Sequence, residues 1–204
     1  MKKRRFIVDL VRHVIIIKCI KNIMRSIIIA LLLCVCINAS GQIQTKFWGL
    51  ELSKFYSSLD VAQRIISERC AYADIDGNSI SATRCSFGGY DWNFANFSFY
   101  QGSILSKALY NVEFSSYHQT LDSAKIKYDN LASSLTNKYG KTFNTSNDYE
   151  NRHYFWTEDN SPYSCYLRLT RAESKGGEIY WYVILSYCDH DLLDLNIQQR
   201  EDEL

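Results

Sequence analysis

The chain has 204 residues, with 23 Lys and Arg against 22 Asp and Glu and a formal net charge of +1. The charge is unevenly divided: residues 1–41 hold eight of the basic residues and one acid, so the other 163 residues carry 15 basic against 21 acidic side chains, a net −6. That acidic balance excludes an electrostatic footprint for nucleic acid and argues against docking on anionic lipid.

The first element is a leader. The unbroken apolar run Ile27–Ile37 is eleven residues long, against the roughly 20 a bilayer-spanning helix needs. Extending it backward places Lys18, Lys21 and Arg25 in hydrocarbon, at about 2.5–3.5 kcal/mol each. A cationic front, a short apolar stretch and the small-residue exit "NASGQ" make a secretory signal peptide. Cleavage after Gly41 leaves Gln42 as the new N-terminus and no membrane span. Met24 is a better-placed start, with 1–23 as an upstream extension; a long basic front is the alternative. Cys34 follows Leu33 and Cys36 follows Val35, so neither cysteine makes a lipoprotein signal. The expected location is the periplasm or the cell surface.

Residues 42–188 are expected to form a single domain. "KFWGLELSKF" predicts a short strand ending near Leu52. "SSLDVAQRIISERC" predicts a helix capped by Ser57 or Ser58, with Leu59, Ala62, Ile65 and Ile66 on one face. "YADIDGN" is turn chemistry. Three strands follow, about Ser79–Phe87, Trp92–Tyr100 and Leu105–Ser115, separated by "FGGYD" and "QGS". In the third, Ala108, Tyr110, Val112 and Phe114 alternate with polar residues, giving one buried and one wet face.

The clearest helix begins after Thr120. Leu121, Ala124, Tyr128, Leu131, Leu135 and Tyr139 share its face, and Gly140 stops it. Three more strands are predicted, about Arg152–Thr157, Tyr163–Arg171 and Glu178–Cys188. Residues 189–204 make an acidic C-terminal tail whose Leu192, Leu193, Leu195 and Ile197 are available for docking. The expected fold is α+β: an antiparallel sheet of about six to seven strands with two helices on one face, in the order β-αβββ-αβββ.

Cys70, Cys85, Cys165 and Cys188 lie beyond the leader, an even count that permits disulfides. Two hairpin registers compete around "ESKGGE". A two-residue loop sets Cys165 opposite Cys188. A three-residue loop sets Leu167 opposite Leu185, Leu169 opposite Val183 and Cys165 opposite Tyr187. The apolar match favours the second, which sends Cys188 to the other face. Cys70–Cys85 is the other candidate bridge.

No stretch carries a catalytic, cofactor-binding or metal-binding signature, and no cofactor is implied. Asp189, His190, Asp191 and Asp194 in "DHDLLD" lack the oxygens and glycine turn of a calcium loop. Cys165, Cys188, His153 and His190 lack zinc spacing. Asn96 in "NFS" and Asn144 in "NTS" are glycosylation acceptors only on a eukaryotic secretory path. The ending "EDEL" approaches a retention signal, with Glu201 where a basic residue or histidine is wanted.

With "ASGQ" closing the leader, "FWGLELSK" opening the remainder and "LASSLTNKYG" closing the second helix, the chain resembles the small exported proteins of unknown function common in Bacteroidetes. In fold, tandem helix-plus-antiparallel-sheet units are similar to beta-lactamase-inhibitor-protein and outer-membrane-assembly lipoprotein domains. That resemblance implies binding of other proteins and no catalysis; no residue-level motif carries over. All fifteen tyrosines lie beyond the leader. The expected function is binding of a protein or glycan partner through the aromatic wet face of the sheet, with Trp92, Phe94, Tyr180 and Tyr182 as its residues. An enzyme using acids with His153 or His190, and a structural envelope protein, are the alternatives.

Overall fold

The structure is a computed structural model and describes residues 41–103, 106–140, 143–144 and 152–202. The predicted leader lies outside these residues except for Gly41, as do the last two residues of the "EDEL" ending.

The chain runs β1 (Lys46–Phe47), β2 (Leu50–Glu51), β3 (Phe55–Tyr56), α1 (Leu59–Ser67), β4 (Cys70–Asp76), β5 (Ser79–Phe87), β6 (Tyr90–Ser103), β7 (Ser106–His118) and α2 (Leu121–Tyr139). It continues through β8 (Phe143–Asn144), β9 (His153–Thr157), β10 (Tyr163–Glu173), β11 (Ile179–Asp189) and α3 (His190–Asp202). Eight strands form one sheet in the order β4-β5-β6-β7-β11-β10-β9-β8, and β3 adds a short ninth beside β7. Every pairing in this sheet is antiparallel. A helix followed by a four-strand meander therefore occurs twice, and the two meanders meet at β7 and β11.

The α+β class and the antiparallel sheet agree with the sequence; the element count is larger. The opening strand is a hairpin instead. Lys46 faces Glu51 and Phe47 faces Leu50, across Trp48 and Gly49, both at positive φ (55° and 103°), as a tight two-residue hairpin turn requires. "YADIDGN" is mostly strand β4, with the turn confined to Gly77 and Asn78 between the paired Asp76 and Ser79. Its inward residues, Ala73 and Ile75, are too few and too small to announce a strand. The C-terminal tail is a helix. Asp189 caps it, its Oδ1 accepting from the Leu192 N–H at 3.1 Å.

The core lies between the sheet and the two predicted helices. α1 buries Leu59, Ala62 and Ile66; α2 buries Ala124, Tyr128, Leu131, Leu135 and Tyr139. These join Ile80, Phe97, Phe114, Leu167 and Leu185 of the sheet in one cluster. The Thr120 hydroxyl accepts from the Ser123 N–H and Gly140 ends α2 at φ 83°, both as the sequence implied. α3 touches β6, β7 and β11 on the opposite face, where Asn196 reaches the Tyr110 hydroxyl at 3.5 Å.

The second of the two hairpin registers is the one adopted. Cys165 faces Tyr187, Leu167 faces Leu185 and Leu169 faces Val183. Ser174 N–H donates to Glu178 C=O at 2.8 Å, closing the loop over three residues. Cys165 and Cys188 consequently lie on opposite faces and are free thiols; that candidate bridge is excluded by register. The Cys70–Cys85 bond is present, joining residues that sit directly opposite on β4 and β5. Their Cα atoms are 4.3 Å apart, close to the roughly 4.5 Å of a non-hydrogen-bonded antiparallel pair.

Burial pushes the Cys165 thiol and the Tyr128 and Tyr187 hydroxyls above their ordinary values, and raises Cys188 to about 12, with Asp189 and Asp194 adding to the effect. Their contribution to stability is complete below the unfolded values of 9.0 and 10.0 and is lost as pH rises toward the folded ones. Burial lowers Lys127 to about 8, which works in the opposite sense between there and 10.5. The raised thiols and tyrosines, with Tyr56 among them, outnumber the one lowered lysine and predict a melting temperature that falls steadily above about pH 9. Cys165→Val should flatten that decline. A melting temperature constant from pH 8 to 11 would contradict the assignment.

Candidate functional site

The face opposite the core helices is open over most of its width. Two registered rows cross it. The first runs Tyr72, Thr83, Phe94, Ser115, Ile184, Arg168 and His153 from β4 to β9. The second runs Asp74, Ser81, Asn96, Glu113, Ser186, Tyr166 and Phe155. α3 covers the end beyond the second row, against Tyr110.

The β4–β7 part of these rows floors a groove of about 640 Å³. Tyr72 (60% exposed) and Phe94 (44%) present ring surface there. Ser81 Oγ donates to Asn96 Oδ1 at 3.4 Å, and Asn96 Nδ2 donates to Ser98 Oγ at 3.2 Å. Glu113 is half-buried at its inner end. Burial raises its carboxyl, and the Arg168 guanidinium draws it partly back. Asn96 is thus embedded in mid-sheet hydrogen bonding, a poor acceptor for a glycan graft.

Beside the groove is a run of aromatics. Phe94 lies 6.4 Å from Tyr117, and Tyr117 meets Tyr180 edge-on at 6.1 Å. Tyr182 is directly opposite Tyr117 in the ladder. Three of the four predicted residues, Phe94, Tyr180 and Tyr182, therefore gather on the open face. Tyr72 and Tyr117 belong with them and were not foreseen: Tyr72 sat in a stretch read as a turn, and Tyr117 lay beyond the predicted end of its strand.

Trp92 does not belong to this face; it is 2% exposed, in the core. Its separation of two from Phe94 should put both on one side. The reason is a paired irregularity. Arg84 adopts φ 51°, and Arg84 and Asn93 drop out of the β5–β6 pairing while Cys85–Trp92 and Thr83–Phe94 keep it. Two successive residues point outward on each strand, and the alternation reverses beyond them.

The histidines and acids of the alternative readings are placed elsewhere. His190 Nε2 is 2.7 Å from Ser164 Oγ, but Ser164 is 2% exposed and no substrate reaches it. The His153 ring packs against Tyr166, at 5.3 Å. Asp189 is buried, its second carboxylate oxygen accepting from the Ser53 hydroxyl, which also contacts the Tyr163 hydroxyl at 2.8 Å. That carboxylate serves helix α3 and the front segment. Among the described residues no group of three or more His, Cys, Asp or Glu side chains converges to hold a metal, and no helix is long and apolar enough to cross a membrane.

Comparison of the chain with protein-family models, with curated proteins and with solved structures found no match.

Proposed function

We propose that this protein is an exported, non-catalytic binding domain that takes a protein or glycan partner on the open face of its sheet. The observation that carries the reading is the groove itself. Half-exposed rings of Tyr72 and Phe94 flank short polar side chains and the half-buried Glu113 carboxylate. A pyranose offers that same alternation, with an apolar C–H face for a ring and hydroxyls for amide and carboxylate groups; polar groups fixed on rigid strands set orientation. A glycan is therefore the first choice of partner. The Tyr117–Tyr180–Tyr182 run favours a protein partner as the second reading, because exposed aromatics dominate protein hot spots. Export is supported by the leader and by the Cys70–Cys85 bond, which suits an oxidising compartment. The resemblance to tandem helix-and-sheet binding domains points the same way, as analogy only.

The test is a nuclear magnetic resonance titration against a panel of neutral and acidic oligosaccharides, alongside affinity capture from an envelope protein fraction. The ligand that shifts Phe94 and Asn96 resonances should bind at least about tenfold more weakly to Phe94→Ala. Tyr182→Ala should weaken a protein partner and spare a glycan confined to the groove. If both variants bind every identified ligand as the native protein does, the open face is not the binding surface.

A further inference from the structure

A second cavity, of about 470 Å³, opens at the end of the sheet where β6 and β7 part. Pairing between them begins at Phe94–Ser115; just outside it, Asn93 Oδ1 accepts from the Tyr117 N–H at 3.1 Å. Four basic side chains from four different segments line the opening: Arg69 after α1, Arg84 in β5, His118 at the end of β7 and Lys127 in α2. Asp91 is the single acid among the lining residues.

Burial and the Lys127 charge lower the His118 imidazole, and Asp91 acts on Lys127, so the unmatched charge of the opening belongs to the two arginines. Among the described residues the one ion pair within 4.0 Å is Lys46–Glu51, so neither guanidinium is matched to a carboxylate. Lys127 is held in place: its Nζ lies 4.1 Å over the Trp92 ring and donates to the Asp91 carbonyl. It is a positioned cation with further N–H groups to offer. The His118 ring is oriented by Ser116 Oγ on Nε2 at 3.1 Å and by Ser123 Oγ on Nδ1 at 3.3 Å.

Arg84 supplies an independent sign. Its φ of 51° is a conformation glycine adopts freely and a long side chain adopts at steric cost. Such outliers concentrate where a side chain has work to do. Guanidinium forks match oxyanions in two-point geometry. The domain's net charge of −6 disfavours an extended polyanion, which leaves a ligand with a single oxyanionic group. We propose that this cleft binds the single oxyanionic group, phosphate, sulfate or carboxylate, of a small ligand, through Arg69, Arg84 and Lys127.

The experiment is isothermal titration at low ionic strength with sodium phosphate, sodium glucuronate and glucose. Both anions should give saturable one-to-one binding that glucose does not. Tighter binding of glucuronate identifies a sugar-borne carboxylate, and tighter binding of phosphate identifies a free anion; either supports the site. Arg84→Gly, which suits the local backbone, and Arg69→Ala, at an exposed position, should each weaken binding about tenfold or more. Lys175→Ala, in the β10–β11 turn, should change nothing. Absence of saturable anion binding, or unchanged affinity in both arginine variants with native near-ultraviolet dichroism, overturns the proposal. Because the probes are small and neither arginine lines the groove, these outcomes are independent of the groove's partner.

Discussion

Phe114→Ala should lower the free energy of unfolding by about 3–5 kcal/mol, the range for deleting a large aromatic from a packed interior. Phe114 is fully buried in β7. It stacks on Phe87 at 4.3 Å with the planes 5° apart. It also meets Phe47, Trp48, Trp92 and Phe97 with ring centroids 5.8–6.4 Å away. These partners come from β1, the first hairpin turn, β5 and β6, each pinned by its own backbone pairing. They cannot all move inward, so most of the cavity persists, and a persistent cavity is what drives the loss to the upper part of the range. For a domain of this length the melting temperature should drop by about 6–20 °C. Phe114→Leu, which keeps most of the volume, should cost less than half as much. Urea unfolding measures both; a loss below about 1 kcal/mol for the alanine variant would mean the ring cluster repacks freely.

Removing the Cys70–Cys85 bond, by reduction or as Cys70→Ala with Cys85→Ala, should cost about 3 kcal/mol. The sequence separation is 15, and cross-linking a loop of that size withdraws about this much conformational freedom from the unfolded chain. The effect should be local as well as global. β4 is an edge strand and, among the described residues, pairs only with β5; α1 leans on it, with Gln63 Nε2 donating to the Ala73 carbonyl at 2.9 Å. Without the bond, hydrogen exchange should quicken first in β4 and α1, while β10 and β11 keep the exchange rates of the whole domain. A reduced protein that melts within about 2 °C of the oxidised one would contradict this.

Where a single physical rule dominated, sequence sufficed. Leu167 and Leu169 can face Leu185 and Val183 in only one register, and that register separates Cys165 from Cys188. The α2 stripe and its Thr120 and Gly140 ends needed only helical spacing and capping. The failures have equally definite causes. β4 buries little apolar surface, so its turn residues outweighed its alternation. Trp92 was assigned to the wrong face because one left-handed residue, Arg84, inverts the alternation of two strands, and nothing in the residue type announces it. The basic cleft draws Arg69, Arg84, His118 and Lys127 from distant segments, and only the tertiary fold assembles them. The groove was half legible: Phe94 was found, whereas Tyr72 and Glu113 join it through pairings a linear scan does not reveal.

The tie between Ser53 and Asp189 has a consequence for how this molecule comes into being. Ile43 N–H likewise reaches Glu158, at 3.1 Å, and β3 waits on β7. The earliest part of the domain to leave the ribosome thus has its partners in parts translated much later, up to the last strand. β7 offers part of its seat midway through synthesis, but the Asp189 tie is missing until the last strand is made, so a half-made chain stays open to chaperones, and a chain cut short before Asp189 keeps the β3–β7 pairing and loses the Ser53 tie.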